Sequence, residues 1–181
     1  MAFTSFRFIV FLVLAAAAYF LTPKRCRWVT LFVANYVFYF ISGGRIFIYL
    51  LATTVTTYLA TVKIGDMAAK NKIAFNEAKA ELDKEGKKAW KAAFAKKKKR
   101  ILIPTLLFNF GILAVLKYSG FVTENLNLLF AKIGIGTELP VFRFLLPLGI
   151  SFYTFQSMGY LIDVYREKQE PERNFCKLAL F

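Results

Sequence analysis

The 181-residue chain is 57% hydrophobic and 18% aromatic, and its 25 basic against 11 acidic residues give a net charge of +14. Apolar residues gathered in unbroken blocks rather than on periodic faces exclude an ordinary soluble domain and point to a bilayer. The charge would suit nucleic acid, but 13 of the 25 basic residues lie between Lys63 and Arg100 and the rest mostly flank apolar blocks, so no nucleic-acid partner is expected.

In chain order, Phe6 to Leu21 is the first apolar block. Its stronger basic cluster, Lys24, Arg25 and Arg27, follows the block rather than preceding it, which favours a retained span over a cleaved signal. Trp28 to Ile41 and Ile46 to Val62 form the next two, joined by Ser42, Gly43, Gly44 and Arg45, a connection short enough to demand an antiparallel hairpin. Both are lean against the roughly 20 helical residues that cross a bilayer. Thr53, Thr54, Thr56 and Thr57 fit a span by bonding to carbonyls one turn back or to a neighbouring helix, and helix packing is their expected role.

From Lys63 to Arg100 the chain turns charged and alanine-rich. Phe75, Ala78 and Leu82, then Trp90, Ala93 and Lys97, recur at helical spacing with Gly86 between the runs, which predicts one or two amphipathic helices on the membrane surface. Trp90 and Phe94 would enter the interface while Lys96, Lys97, Lys98, Lys99 and Arg100 meet anionic headgroups; the alternative is a solvated positive loop.

Ile101 to Leu116 is the fourth block, with Pro104 in its expected first turn and Asn109 mid-span, where an amide must face a partner helix or a polar cavity. Lys117 to Arg143, punctuated by Gly120, Gly134, Gly136 and Pro140, suggests a short surface or re-entrant helix. The fifth block starts around Phe144, with Pro147 near the helix start, and runs through Tyr165. The fold class is thus all-α: a multispanning protein with three spans in residues 1–62, a basic amphipathic segment in 63–100, and two further spans in 101–181 before another apolar stretch begins. The connections carry +3 (Lys24 to Arg27) and +8 (Lys63 to Arg100) against +1 in each of the two opposite ones, placing the basic loops in the cytoplasm and the amino terminus outside the plasma membrane.

The stretch Leu145 to Arg166, LLPLGISFYTFQSMGYLIDVYR, is apolar enough for a membrane yet carries Gln156, Asp163 and several tyrosines. At 100° per residue, Gly149, Tyr153, Gln156, Tyr160 and Asp163 share an arc of roughly 80° with Ile150, Thr154, Met158, Leu161 and Ile162 opposite, which predicts a protein-facing polar side and a lipid-facing apolar one. Asp163 and Arg166 have the spacing of an ion pair, and Gln156 can donate and accept toward a helix, a water or a ligand. The sequence has no phosphate-binding loop, HExxH motif or metal constellation, and no histidine to activate either Cys26 or Cys176. On this topology both thiols face a reducing compartment, where a disulfide is not expected.

The same stretch resembles the signature segment of the membrane-bound O-acyltransferase family, in its bacterial cell-envelope branch of alginate O-acetylation and D-alanyl transfer proteins. The resemblance extends to LFVANYVFYFISGGRIFIYLLATTVTTYLA, IPTLLFNFGILAVLKYSGF and NFCKLALF. It implies transfer of an acyl group from a thioester of coenzyme A or a carrier protein to a hydroxyl of an envelope polymer, with partner proteins encoded nearby and no bound cofactor. It also implies that Tyr153, Gln156, Tyr160 and Asp163 support the wall of a substrate tunnel. The family's chemistry depends on a histidine downstream of the signature, and this sequence has none, so the expectation is an amino-terminal part holding no catalytic residue. A non-catalytic membrane subunit, or half of a transporter or flippase, are the alternatives.

Overall fold

A computed structural model describes residues 6–43, 47–79, 83–134, 139–141 and 149–180. Among these the chain is helical throughout, with α1 at Phe6–Leu21, α2 at Arg27–Gly43, α3 at Phe47–Ala78, α4 at Lys84–Lys132, α5 at Ile150–Tyr165 and a single turn, α6, at Phe175–Leu178. The expected features at Gly44, Arg45, Leu82, Gly136, Arg143, Phe144, Pro147 and Phe181 lie outside the described residues.

The core is the trio α3, α4 and α5, packed together through Ala60, Ile64, Leu102, Met158, Leu161 and Val164. Tyr49, Leu113 and Ile150 form a second apolar cluster. Helices α1 and α2 pair with each other, their corner set by Pro23 and by Arg27, whose guanidinium donates to the Thr22 carbonyl and lies over the Tyr19 ring. No residue of α1 is buried, and Leu12, Val13, Leu14 and Phe20 are all exposed. Surface this apolar demands lipid or another protein.

Two helices, α3 and α4, are long and apolar enough to cross a membrane. Their lengths correct the expected boundaries. The block expected to end at Val62 continues to Ala78, and the block expected over Ile101–Leu116 belongs to a 49-residue helix about 73 Å long. The cause is local: Lys63–Ala78 and Lys84–Arg100 are rich in alanine, lysine and glutamate, strong helix formers without an interior proline, so the helices do not stop where polarity changes. The two basic runs are therefore extensions of α3 and α4, paired as an antiparallel stalk.

Gly86 does not separate the runs. Helix α4 begins upstream of it, capped by the Asp83 carboxylate, which accepts from the Gly86 amide at 2.6 Å. Pro104, expected in a first turn, consequently sits deep inside α4, where it leaves the Arg100 carbonyl without its usual amide. No separate surface helix occupies residues 117–132, because α4 runs through them. Near the end of α4, the Asn127 side chain bonds both the amide and the carbonyl of Leu139, at 2.8 and 2.9 Å, and so holds Leu139 against the helix.

Candidate functional site

The polar groups of the trio fall into two zones: a seam inside the bundle and a collar at its stalk end. The seam is built by threonines that bond backwards. Thr54 and Thr154 donate to the carbonyls four residues earlier, Leu50 and Ile150, each at 2.8 Å. That leaves their lone pairs facing outward, where tyrosines from the partner helix meet them: Tyr153 lies 2.5 Å from Thr54, and Tyr49 lies 2.8 Å from Thr154. With the Thr54 proton committed to its own helix the Tyr153 phenol donates, while Tyr49, beside Thr154, also donates to the Asn109 carbonyl of α4 at 3.2 Å. Helices α3 and α5 are thus joined twice.

Asn109 ties α4 to the same seam. It is 0% exposed and donates to Thr105 one turn back at 2.9 Å and to Thr56 of α3 at 3.1 Å. Thr56 in turn donates to the Ala52 carbonyl at 2.8 Å. The packing role expected of Asn109, Thr54 and Thr56 is what the structure shows. Thr53 and Thr57, on the same helix, bury hydroxyls that reach no hydrogen-bond partner among the described residues.

The collar gathers the residues that follow α5. The helix ends in a Schellman-type turn in which the amides of Glu167 and Lys168 return to the carbonyls of Val164 and Asp163. The left-handed position falls on Glu167, with φ of 59°, where glycine would be usual. Past it, residues 168–174 lie along α3: Pro171 sits against Gly65, so closely that a side chain at 65 would collide with its ring. The Glu172 amide donates to the Tyr160 hydroxyl at 2.7 Å, Tyr58 donates to the Arg173 carbonyl at 2.8 Å, and Arg173 pairs with Asp66 at 2.8 Å. Between this strap and α3 is a cavity of about 450 Å³ lined by Lys72, Lys168, Glu170 and Arg173, among others.

The residues expected at a substrate wall separate. Tyr153 enters the seam and Tyr160 the collar, both buried, whereas Gln156 and Asp163 are half-buried at the margin of α5 and neither gains a side-chain bond among the described residues. The expected lipid side is also corrected: Ile150, Thr154, Met158 and Leu161 are core, and the outward side is Phe152, Phe155 and Gly159. Shape decided this rather than polarity, since α5 presents Phe152 and Phe155 outward and its mixed face, Tyr153 and Tyr160 included, to its neighbours. Asp163 and Arg166 are not joined; the ion pairs among the described residues are Lys98–Glu167 and Arg173–Asp66.

Of the residues expected at the membrane surface, Trp90 instead donates to Asn71 across the stalk at 3.0 Å and stacks near Phe75. Lys98 turns inward, 7% exposed, while Lys96, Lys97, Lys99 and Arg100 are exposed. Tyr49, Tyr58 and Pro171 escaped the sequence reading; only Gly65, a glycine inside a helix with a close neighbour, left a legible sign.

No family model and no solved structure matches the chain. Curated relatives do. Over 100% of its length the chain is 32% identical to a probable alginate O-acetylase of Azotobacter vinelandii and 30% identical to one of Pseudomonas aeruginosa, covering 32% and 30% of those proteins. It thus spans about a third of the length of the curated relatives it matches. A 68-residue stretch, 38% of the chain, is 35% identical to a peptidoglycan O-acetyltransferase of Helicobacter pylori, of which it covers 12%. Helical throughout its described residues and similar end to end to the alginate O-acetylases, the chain bears out its resemblance to the membrane-bound O-acyltransferase family.

Proposed function

We propose that these residues form part of a multispanning O-acyltransferase of the plasma membrane, which moves an acyl group, acetyl or D-alanyl, from a thioester donor to a hydroxyl of an envelope polysaccharide. The observation that carries this reading is the similarity to alginate O-acetylases over the whole chain. The thioester is that of coenzyme A or of a carrier protein. Charge asymmetry puts the stalk in the cytoplasm and the amino terminus outside, which presents the collar to a cytoplasmic donor. Lys96, Lys97, Lys99 and Arg100 are the stalk residues left to meet anionic headgroups.

The chemistry requires a base that takes the hydroxyl proton as the alcohol attacks and returns it to the leaving thiol, a task suited to a group with pKa near 6.5. The sequence holds no histidine, so on this reading residues 1–181 contribute frame rather than base. The seam holds α3, α4 and α5 in register by neutral hydrogen bonds, and Tyr153 and Tyr160 act as braces of that frame.

The test is ester-linked acyl content of purified envelope polysaccharide in cells lacking the gene and in cells given it back in full. Loss on deletion and recovery on complementation are expected. Equal ester content in all three strains overturns the reading. Its accompanying topology predicts that a cysteine placed in the stalk reacts with a membrane-impermeant maleimide only after the cells are opened.

A further inference from the structure

We propose that Lys98 is a latch between the stalk and α5, and thereby a positioning residue for acyl transfer; the activity arm of this proposal rests on the acyltransferase reading. In sequence Lys98 is one of five consecutive cations, Lys96 to Arg100, with nothing to mark it out. In the structure it alone of the five is buried. Its ammonium donates to the Tyr165 carbonyl at 2.9 Å and to the Glu167 carboxylate at 2.5 Å, and lies 4.8 Å from the Phe94 ring centre and 5.2 Å from that of Tyr165.

Each contact has a distinct logic. The Schellman-type turn uses the carbonyls of Ile162, Asp163 and Val164, and the next carbonyl, Tyr165, is the one that Lys98 takes. A cation there also meets the negative end of the α5 dipole. Glu167 occupies a left-handed position that favours glycine. A glycine would relieve the backbone but would have no carboxylate for Lys98, and this pairing accounts for a glutamate at that position. Two aromatic faces flank the buried ammonium, while Glu167 keeps its outer edge in water.

The consequence is mechanical. The last turn of α5 cannot slide along or rotate against α4 without breaking these bonds, and Tyr153 and Thr154 of the seam stand on the same helix. Displacement of the stalk is therefore transmitted to the end of α5 by a directional polar tie added to the apolar packing of α3, α4 and α5.

The experiment compares Lys98→Met and Lys98→Arg in the full-length protein, reading amide exchange at residues 165–168, exchange at 105–113 as internal control, and acyl incorporation. Lys98→Met should speed exchange at 165–168 by at least about tenfold while the control region stays within about twofold. Acyl incorporation should fall at least about fivefold, and Lys98→Arg should recover most of both signals. Unchanged exchange at 165–168 in Lys98→Met overturns the latch, as does exchange that rises equally everywhere. If the parent protein transfers no acyl group, the acyltransferase reading falls, while the exchange comparison still decides the latch. Should Lys98→Met fail to accumulate, Glu167→Gly decides: the latch predicts lower acyl incorporation at equal or higher melting temperature, and full incorporation overturns it.

Discussion

The seam and the collar join the same helices by opposite means. In the seam every tie is neutral: Tyr153 to Thr54, Tyr49 to Thr154, Asn109 to Thr56. In the collar the ties are ionic or end on backbone: Lys98 to Glu167, Arg173 to Asp66, Tyr58 to the Arg173 carbonyl. The difference follows from the medium. Inside apolar surroundings a hydroxyl whose proton is spent on its own helix still has a lone pair to offer, and little desolvation opposes its burial. At the bundle end water reaches Glu167, whose side chain is 57% exposed while that of Lys98 is 8% exposed, and both partners of the Arg173–Asp66 pair, so charge is tolerable where it would be prohibitive a few turns away.

Substitutions that confuse the two zones should cost most. Asn109→Asp places a carboxyl in the seam and is expected to destabilise by about 3 kcal/mol, the cost of an acid at the centre of a membrane helix. It is read as a lowered unfolding midpoint of the full-length protein in micelles, and an unshifted midpoint would show that position 109 is wet. Gly65→Val drives a branched side chain into Pro171 and should cost about 1–3 kcal/mol as overpacking. Proteolysis within residues 168–174 should accelerate, and an unaltered cleavage rate would remove the strap from α3.

Smaller effects separate the zones further. Tyr153→Phe deletes one neutral tie and should cost about 0.6 kcal/mol, the typical worth of an interhelical hydrogen bond in a membrane protein. A thermal melt that moves by much more would mean that the phenol does something besides brace. Lys97→Ala should change stability by less than about 0.5 kcal/mol, because Lys97 is exposed. If it matches Lys98→Met, the five cations act as a field and not one by one.

Much of the architecture was legible from composition. Apolar blocks foretold helices, and Asn109, Thr54 and Thr56 announced a packing seam because a polar group in hydrocarbon must find a partner. Helix ends were not legible, since a change from apolar to charged residues marks a change of solvent, whereas backbone propensity runs unbroken from Phe47 to Ala78. The orientation of α5 failed for a related reason. Polarity alone groups Gln156 and Asp163 with Tyr153, yet burial follows fit against α3, which admits Thr154, Met158 and Leu161 and leaves Phe152 outside. Lys98 was hidden by its neighbours, because five like charges in a row carry no signal of which one turns inward.

Gly65 and Pro171 stand 106 positions apart and share one small volume. Neither can enlarge without the other retreating, so across homologous proteins these two positions should change together, a bulkier residue at one accompanied by a smaller one at the other. A paired substitution, Gly65→Ala with Pro171→Gly, should accordingly be tolerated better than Gly65→Ala alone, and the trace of that contact should survive in sequences too divergent to share anything else along the strap.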